Sequence, residues 1–311
     1  MDSVHSGITY DDSRIRKFEE EKRGILIDEQ SIELQKLNWF AMEKRIMGLV
    51  EKLNLSNILS VAKEISKEDL IAGRGLFCQA VMKSQLKYPE SSNIYAALVA
   101  VINSEFPDCG LLLVKRVVLR FKSAHDSGDK KLIEASLKFV AHLVNQRIVY
   151  ELLACDVLLL LLGNPNSDNV ELAVGFCTQC GLLLQNFAPL KLRQIFGEFL
   201  HVLRKGEVGK RVQVMILKLF SVKKSRFRNY QCVVDELDDI VEVDEQVTHD
   251  VSLLMHEIYP ENSVDEFNPN LEFDYGHEIR SDRTVRIWCE DVEDGDEVSS
   301  DDVAKFEDKI G

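Results

Sequence analysis

The chain has 311 residues, is 45% hydrophobic and carries a net charge of −14, which suits one large or two ordinary folded domains and excludes a fibrous or wholly disordered protein. The charge is lopsided: from Cys232 onward 26 acidic residues stand against 5 basic ones, whereas the stretch up to Gln231 holds 26 acidic and 33 basic. The N-terminus is polar, the apolar run VLLLLLG from Val157 is far shorter than the roughly 20 residues a bilayer needs, and seven cysteines scattered through helical patterns make no secreted disulfide framework, so an intracellular protein without a membrane segment is expected.

Residues 1–30 are charged and are expected to be disordered, with room for a short helix over DSRIRKFEEEKRG. The body, residues 31–230, then reads as helices over 32–53, 56–66, 68–87, 91–104, 107–124, 129–145, 147–162, 168–186, 189–204 and 207–223. Pro89, Pro107, Pro165 and Pro189 all fall between these apolar-periodic segments, and no alternating run bounded by hairpin turns suggests a strand. Asn54 and Ser56 suit the start of the second helix and Ser91 or Ser92 that of the fourth. Asp168 suits the eighth, with Glu171 three residues on as its box partner.

Taken in pairs, these helices recur about every 36–42 residues, near the period of HEAT-type repeats. The fold class expected is all-α: a HEAT-like solenoid of about five antiparallel helix pairs, curved, with a long concave face. The rival is an irregular helical bundle. Residues 231–311 form an acidic C-terminal extension, expected to be extended or disordered in part because it has little apolar surface to bury. Its isolated aromatics, Phe267, Phe273, Tyr275 and Trp288, suit anchors on a partner or on the solenoid's own end.

Little in the sequence points to catalysis. Cys177 and Cys180 in GFCTQCG have no second pair to complete a zinc site and fall inside a helix, where packing is the expected role. Gly73 and Gly75 flank Arg74 without a phosphate-loop lysine and are read as a close helix crossing. His142 lies among apolar residues and is read as an interior histidine. No nucleophile has a base beside it, so no enzyme activity, metal or cofactor is expected. Cations gather late: Arg204, Lys205, Lys210, Arg211, Lys223, Lys224, Arg226 and Arg228, the last two interleaved with Phe227 and Tyr230. They suit a phosphate backbone with base stacking, or else a solvated helix end that the acidic tail folds back to cover.

Longer strings carry a resemblance. LNWFAMEKRIMGLVEKLNLSNI, GRGLF, IYAALVAVINSEFPDCGLLLVKRVVLRFK, SLKFVAHLVNQRIVYELL, VELAVGFCTQCGLLL, IFGEFLHVLRKGEVGKRVQVMI and VDEQVTHDV resemble the middle domain of initiation factor 4G in its spliceosomal branch, the pre-mRNA splicing factor family called nucampholin. The resemblance runs from about Leu34 to Asn270. It implies a nuclear, non-enzymatic splicing scaffold that binds the DEAD-box RNA helicase of the exon junction complex, holds its two lobes apart and delivers it to the spliceosome among other spliceosome proteins.

The family's helicase contact is an Asn-Lys pair at the end of the first helix. The matching positions are Glu51 and Lys52, with Asn54 following, so Lys52 keeps a charge contact while Glu51 replaces an amide by an acceptor-only carboxylate. The family's longer members continue into a second helical domain after the acidic linker. This chain ends at Gly311 and is expected to be a short form. The alternative functions are a translation or RNA-decay scaffold for a cytoplasmic DEAD-box helicase, and a helical-repeat protein that binds RNA directly.

Overall fold

The computed structural model describes residues 11–228, 237, 240–254 and 258–269, with side chains from residue 31 onward. Ten α-helices are present among these residues: α1 Asp11–Glu51, α2 Ile58–Ile65, α3 Leu70–Lys87, α4 Ser92–Glu105, α5 Pro107–Ser127, α6 Lys130–Asn145, α7 Glu151–Gly163, α8 Ser167–Phe187, α9 Pro189–Lys205 and α10 Lys210–Lys224. Pro89, Pro107 and Pro189 each open a helical segment at its first position, where the missing N–H costs nothing. Gly128 and Gly206 close α5 and α9 in the left-handed conformation, the usual helix stop for a residue without Cβ.

The helices alternate in direction and form two layers. In one, α1 packs on α3, α3 on α5 and α7 on α9; in the other, α2, α4, α6, α8 and α10 follow one another. This is the paired-helix solenoid that the periodicity implies. Its core is continuous, with Phe77, Phe121, Phe139 and Phe199 fully buried along the two layers. A polar network crosses the core. Arg120 on α5 donates to Gln85 Oε1 (2.8 Å) and Ser136 Oγ (3.2 Å), and Gln85 Nε2 donates to Ala135 O and Ser92 Oγ. Burial pulls the Arg120 pKa down to about 10. The guanidinium stays charged at neutral pH, and its donors knit α3, α5 and α6 together.

Several expectations need correction. The first helix runs back to Asp11 rather than starting at 32, across a stretch that contains no proline and only Gly24 as a breaker. Helix α8 is capped by Asn166, whose side chain accepts from Asn169 N. Asp168 instead meets Lys130 Nζ at 2.5 Å, and Glu171 receives Arg211. Ser91 makes no side-chain cap for α4, and the Ser92 hydroxyl donates to Pro89 O. Asn54 caps the 3₁₀ turn Leu55–Asn57 rather than α2, whose own N-cap, Asn57, makes no side-chain cap bond.

The acidic extension adds to this body. The compact unit runs to Leu271, and residues 240–254 and 258–269 form a strap bound along the helices. Val149 and His249 pair in a one-residue parallel bridge. Between α5 and α7, which lack the close packing of their layer neighbours, the strap supplies the filling. Val251 and Leu253 are buried there; Lys122 on α5 donates to Leu253 O (3.2 Å), and the Ser252 hydroxyl donates to Asp156 on α7 (2.6 Å).

Further along, buried Arg116 receives the strap. It donates to Pro260 O (2.9 Å) and Glu261 O (3.2 Å) and pairs with Asp265 at 2.7 Å. A short 3₁₀ turn, Asn262–Asp265, lies on α3, and Phe267 meets Trp39 of α1 edge-on at 6.4 Å. The described tail runs past the end of α4 and α7, then over α5 and α3 to α1, and not along the late cations. Phe273, Tyr275 and Trp288 lie outside the described residues.

Glycines mark two of these approaches. A Cβ on Gly75 would lie 2.3 Å from Val264 O, and one on Gly73 would meet the Met42 side chain at 3.0 Å. Only Gly73 serves a helix crossing, as expected; Gly75 serves the strap.

Two histidines link stability to acid. Burial, then Lys138, pulls the His142 pKa down to about 4, and burial also lowers that of His249. A histidine whose folded pKa is depressed favours the folded state above its unfolded pKa near 6.5 and loses that contribution as pH falls toward the folded value. The unfolding free energy should therefore drop between pH 6.5 and about 4, and His142→Gln should flatten that limb in urea titrations taken across this window.

Candidate functional site

The α1–α2 turn holds the first set of sequence-derived candidates. Helix α1 ends at Glu51, and the chain turns through Lys52 and Leu53 into a 3₁₀ turn, Leu55–Asn57. Asn54 and Asn57 lock this turn reciprocally. Asn54 Oδ1 accepts from Ser56 N (3.0 Å) and the Ser56 hydroxyl (2.6 Å), and Asn57 Oδ1 accepts from Asn54 N (2.8 Å). Both side-chain amides then donate to Lys52 O, at 3.3 and 3.0 Å. Asn54 is thus a positioning residue whose acceptor is already used, and the two amides hold the Lys52 carbonyl in place.

Glu51 and Lys52 are exposed, and neither side chain makes a hydrogen bond or ion pair among the described residues. The carboxylate of Glu51 faces α4, where it helps, after burial and Tyr88, to raise the Tyr95 pKa. Tyr88, in the α3–α4 turn, is half exposed and receives Lys87 Nζ at 5.1 Å from its ring centre. Antiparallel alternation puts both turns on one edge of the solenoid, so a partner meeting Lys52 also meets Tyr88.

The late cations are not one patch. Arg204, Lys205, Lys210 and Arg211 surround the α9–α10 turn, whereas Lys223, Lys224, Arg226 and Arg228 sit at the other end of α10, about 20 Å away for fifteen residues at 1.5 Å each. Arg211 is held by both oxygens of Glu171. Lys223 lies 3.9 Å from the Phe196 ring centre, and its pKa is lowered by burial.

Phe227 does not stack bases. It is fully buried, its ring packed so closely on Gly181 that a Cβ there would lie 2.2 Å away. Arg226 and Phe227 accept positive φ, 55° and 53°, in the tight turn that delivers this ring. Tyr230 lies outside the described residues.

Cys177 and Cys180 are buried in α8. Burial pushes the Cys177 thiol up to about 12, and Cys180 Sγ donates to Phe176 O, so both side chains pack the core. Among the described residues no three His, Cys, Asp or Glu side chains converge as a metal site, and no helix is long and apolar enough to cross a membrane. Sequence reasoning missed the strap's receiving groups, Asn103, Arg116 and Gly110. The signal the sequence carries for Asn103 and Arg116 is a polar residue on an otherwise apolar helix.

These features define an all-α fold of stacked helical repeats. Residues 43–226 match the MIF4G domain model, more than half of the chain, and the protein belongs to the MIF4G domain family. It is 41% identical over 224 residues to the pre-mRNA-splicing factor CWC22 homolog of Homo sapiens, covering 72% of this chain and 25% of that one. It is 37% identical over 277 residues to the Mus musculus homolog (89% and 30%) and 36% identical over 296 residues to the cwc22 splicing factor of Emericella nidulans (95% and 33%). The chain thus spans a quarter to a third of the length of these relatives.

Proposed function

We propose that this protein is a non-enzymatic scaffold of pre-mRNA splicing in the nucleus, and that its α1–α2 turn binds the DEAD-box RNA helicase of the exon junction complex. The observation that carries the reading is the pairing of free Glu51 and Lys52 side chains with a turn made rigid by Asn54 and Asn57. A lysine without an internal partner on a fixed turn contributes its charge to a facing acidic surface without first breaking a bond of its own. Its loop has also lost its ordering entropy in advance. Bound to one lobe of a two-lobed ATPase, such a scaffold favours the open state and suppresses turnover through differential affinity for the two conformations. The splicing-factor names of the relatives support the nuclear setting.

Calorimetric titration of the exon-junction helicase into this protein tests the reading. Binding is expected, with Lys52→Glu weakening it at least about tenfold, near 1.4 kcal/mol, and Glu51→Asn leaving it equal or tighter. Absence of binding by both the native protein and Glu51→Asn would remove the helicase from the proposal.

A further inference from the structure

The last repeat carries a groove that no other part of the described chain fills. Each even-numbered helix from α2 to α8 is followed in its layer by another, but α10 ends the series and packs on α8 and α9. The chain then departs: Leu237 lies beside Gln146, and the strap runs on toward α1. The side of α10 that a further repeat would cover stays open.

Helices α9 and α10 run antiparallel, and Phe196 meets Phe220 edge-on at 5.1 Å, which sets the level of one helix against the other. One turn from this contact, toward the α9–α10 turn on both helices, lie Leu200 and Leu217. Helical spacing keeps Leu200 on the side of Phe196 and Leu217 on that of Phe220, yet the two leucines are 38% and 56% exposed. Val214, one turn further along α10, is 49% exposed and continues the apolar row.

Cations border the row. Exposed Arg204 stands four residues after Leu200, and exposed Lys210 and Lys218 stand four residues before and after Val214. None of these three makes an ion pair among the described residues, whereas Arg211 is held by Glu171. From Pro189 to Lys224 the sequence holds two carboxylates, Glu198 and Glu207, against nine Lys and Arg, so the groove attracts an anion.

We propose that this groove binds an acidic amphipathic helix of a partner protein, with its apolar stripe on Leu200, Val214 and Leu217 and its carboxylates on Arg204, Lys210 and Lys218. A helix is the shape that fits, because the neighbour missing from the layer is itself a helix and the row repeats at one-turn intervals. The surrounding charge selects an acidic one. A second copy of this chain would bring the same cations face to face across a twofold axis, and like charges opposed there weaken association. Nucleic acid would use the cations and leave the row idle, since aliphatic side chains offer no aromatic face to a base. The groove lies in the fifth repeat and the α1–α2 turn in the first, so the helicase reading stands or falls independently.

The test is fluorescence anisotropy of a labelled synthetic peptide, three copies of Leu-Glu-Ala-Leu-Glu-Ala-Glu, titrated with the full chain at low salt. A peptide of the same composition with its leucines spread around the helix reports on charge alone, and it should bind at least about tenfold more weakly. Leu217→Glu should weaken binding of the amphipathic peptide about tenfold or more. Arg204→Glu with Lys210→Glu should do the same and flatten the salt dependence. Lys52→Glu should change affinity less than about twofold. Circular dichroism of each variant shows that the fold is retained. Equal affinity of the two peptides, or of Leu217→Glu and the native protein, would overturn the proposal and leave only an electropositive helix pair. An oligouridylate that bound as tightly as the peptide and lost affinity equally in Leu217→Glu would give the groove to nucleic acid. A dimer in size-exclusion chromatography that Leu217→Glu abolishes would give it to a second copy. Either result would overturn the proposal, and so would absence of peptide binding.

Discussion

Arg116→Leu should destabilise the protein by about 3–5 kcal/mol, read as a lower urea midpoint. The side chain is 7% exposed and serves one acid and two strap carbonyls, Asp265, Pro260 O and Glu261 O. Leucine keeps part of the packing volume but leaves the Asp265 carboxylate against apolar surface and the carbonyls without donors. Leaving one partner of a buried pair uncompensated is costlier than never having built the pair. Asp265 retains 19% exposure, so the lower end of the range applies if the strap lifts to rehydrate it. Lifting would expose residues 258–269 to limited proteolysis. Arg116→Leu combined with Asp265→Asn should recover part of the loss, because the two sites share one interaction. A double variant no better than the single one would mean that the carbonyl bonds, not the ion pair, hold the strap.

The second large effect is expected at Gly110. On helix propensity alone Gly110→Ala would gain up to about 1 kcal/mol. A Cβ there, however, would lie 1.8 Å from Asn103 Oδ1 and 2.6 Å from its Cγ, contacts that require Asn103 to move. Asn103 is fully buried and is the strap's central clasp. Its Nδ2 donates to Gln246 Oε1 and Val247 O, both at 2.6 Å, and its Oδ1 accepts from His249 Nε2 at 2.7 Å. Since the amide nitrogen faces two acceptors, the amide orientation is set and His249 must donate through Nε2. Each buried group left unsatisfied costs about 1–3 kcal/mol, which outweighs the propensity gain, and a net loss of about 2 kcal/mol or more is expected. Gly197→Ala on α9, where an added Cβ meets nothing within 4 Å, supplies the contrast and should stabilise by about 0.5–1 kcal/mol. Differential scanning calorimetry of the two variants separates the outcomes.

The helical body was legible because its signals are local. Apolar periodicity, prolines at first positions and glycines at last positions are written within a few residues of each boundary, and the ten expected helices correspond to the ten observed. The strap was not legible in the same way. VDEQVTHDV and ENSVDEF have neither a helical nor a strand period, and high charge reads as solvation unless the receiving groups are known. Those groups, Asn103 and Arg116, lie more than 140 residues earlier in the chain, and nothing in local composition pairs them with the tail. The expected cluster of late cations is divided in space for a related reason. Cations close in sequence were assigned to one patch, but α10 separates them, while Arg147 and Phe187 are distant in sequence and touch in space. Phe227 looked like a stacking aromatic because nothing in KKSRFRNY shows the space left by Gly181.

A stack of helical repeats held only by nearest neighbours is an open file, in which the outermost members peel away first and the middle survives. Here a single thread returns from Leu237, beside Gln146, to Phe267, beside Trp39, and sews the fourth repeat to the first. Damage therefore has no terminus at which to stay confined. A cut in the thread near His249 loosens α1, and loss of Trp39 is felt between α5 and α7. Amide exchange should show α3 to α7 opening together, as one unit with a single lifetime, rather than in the graded order of a peeling stack.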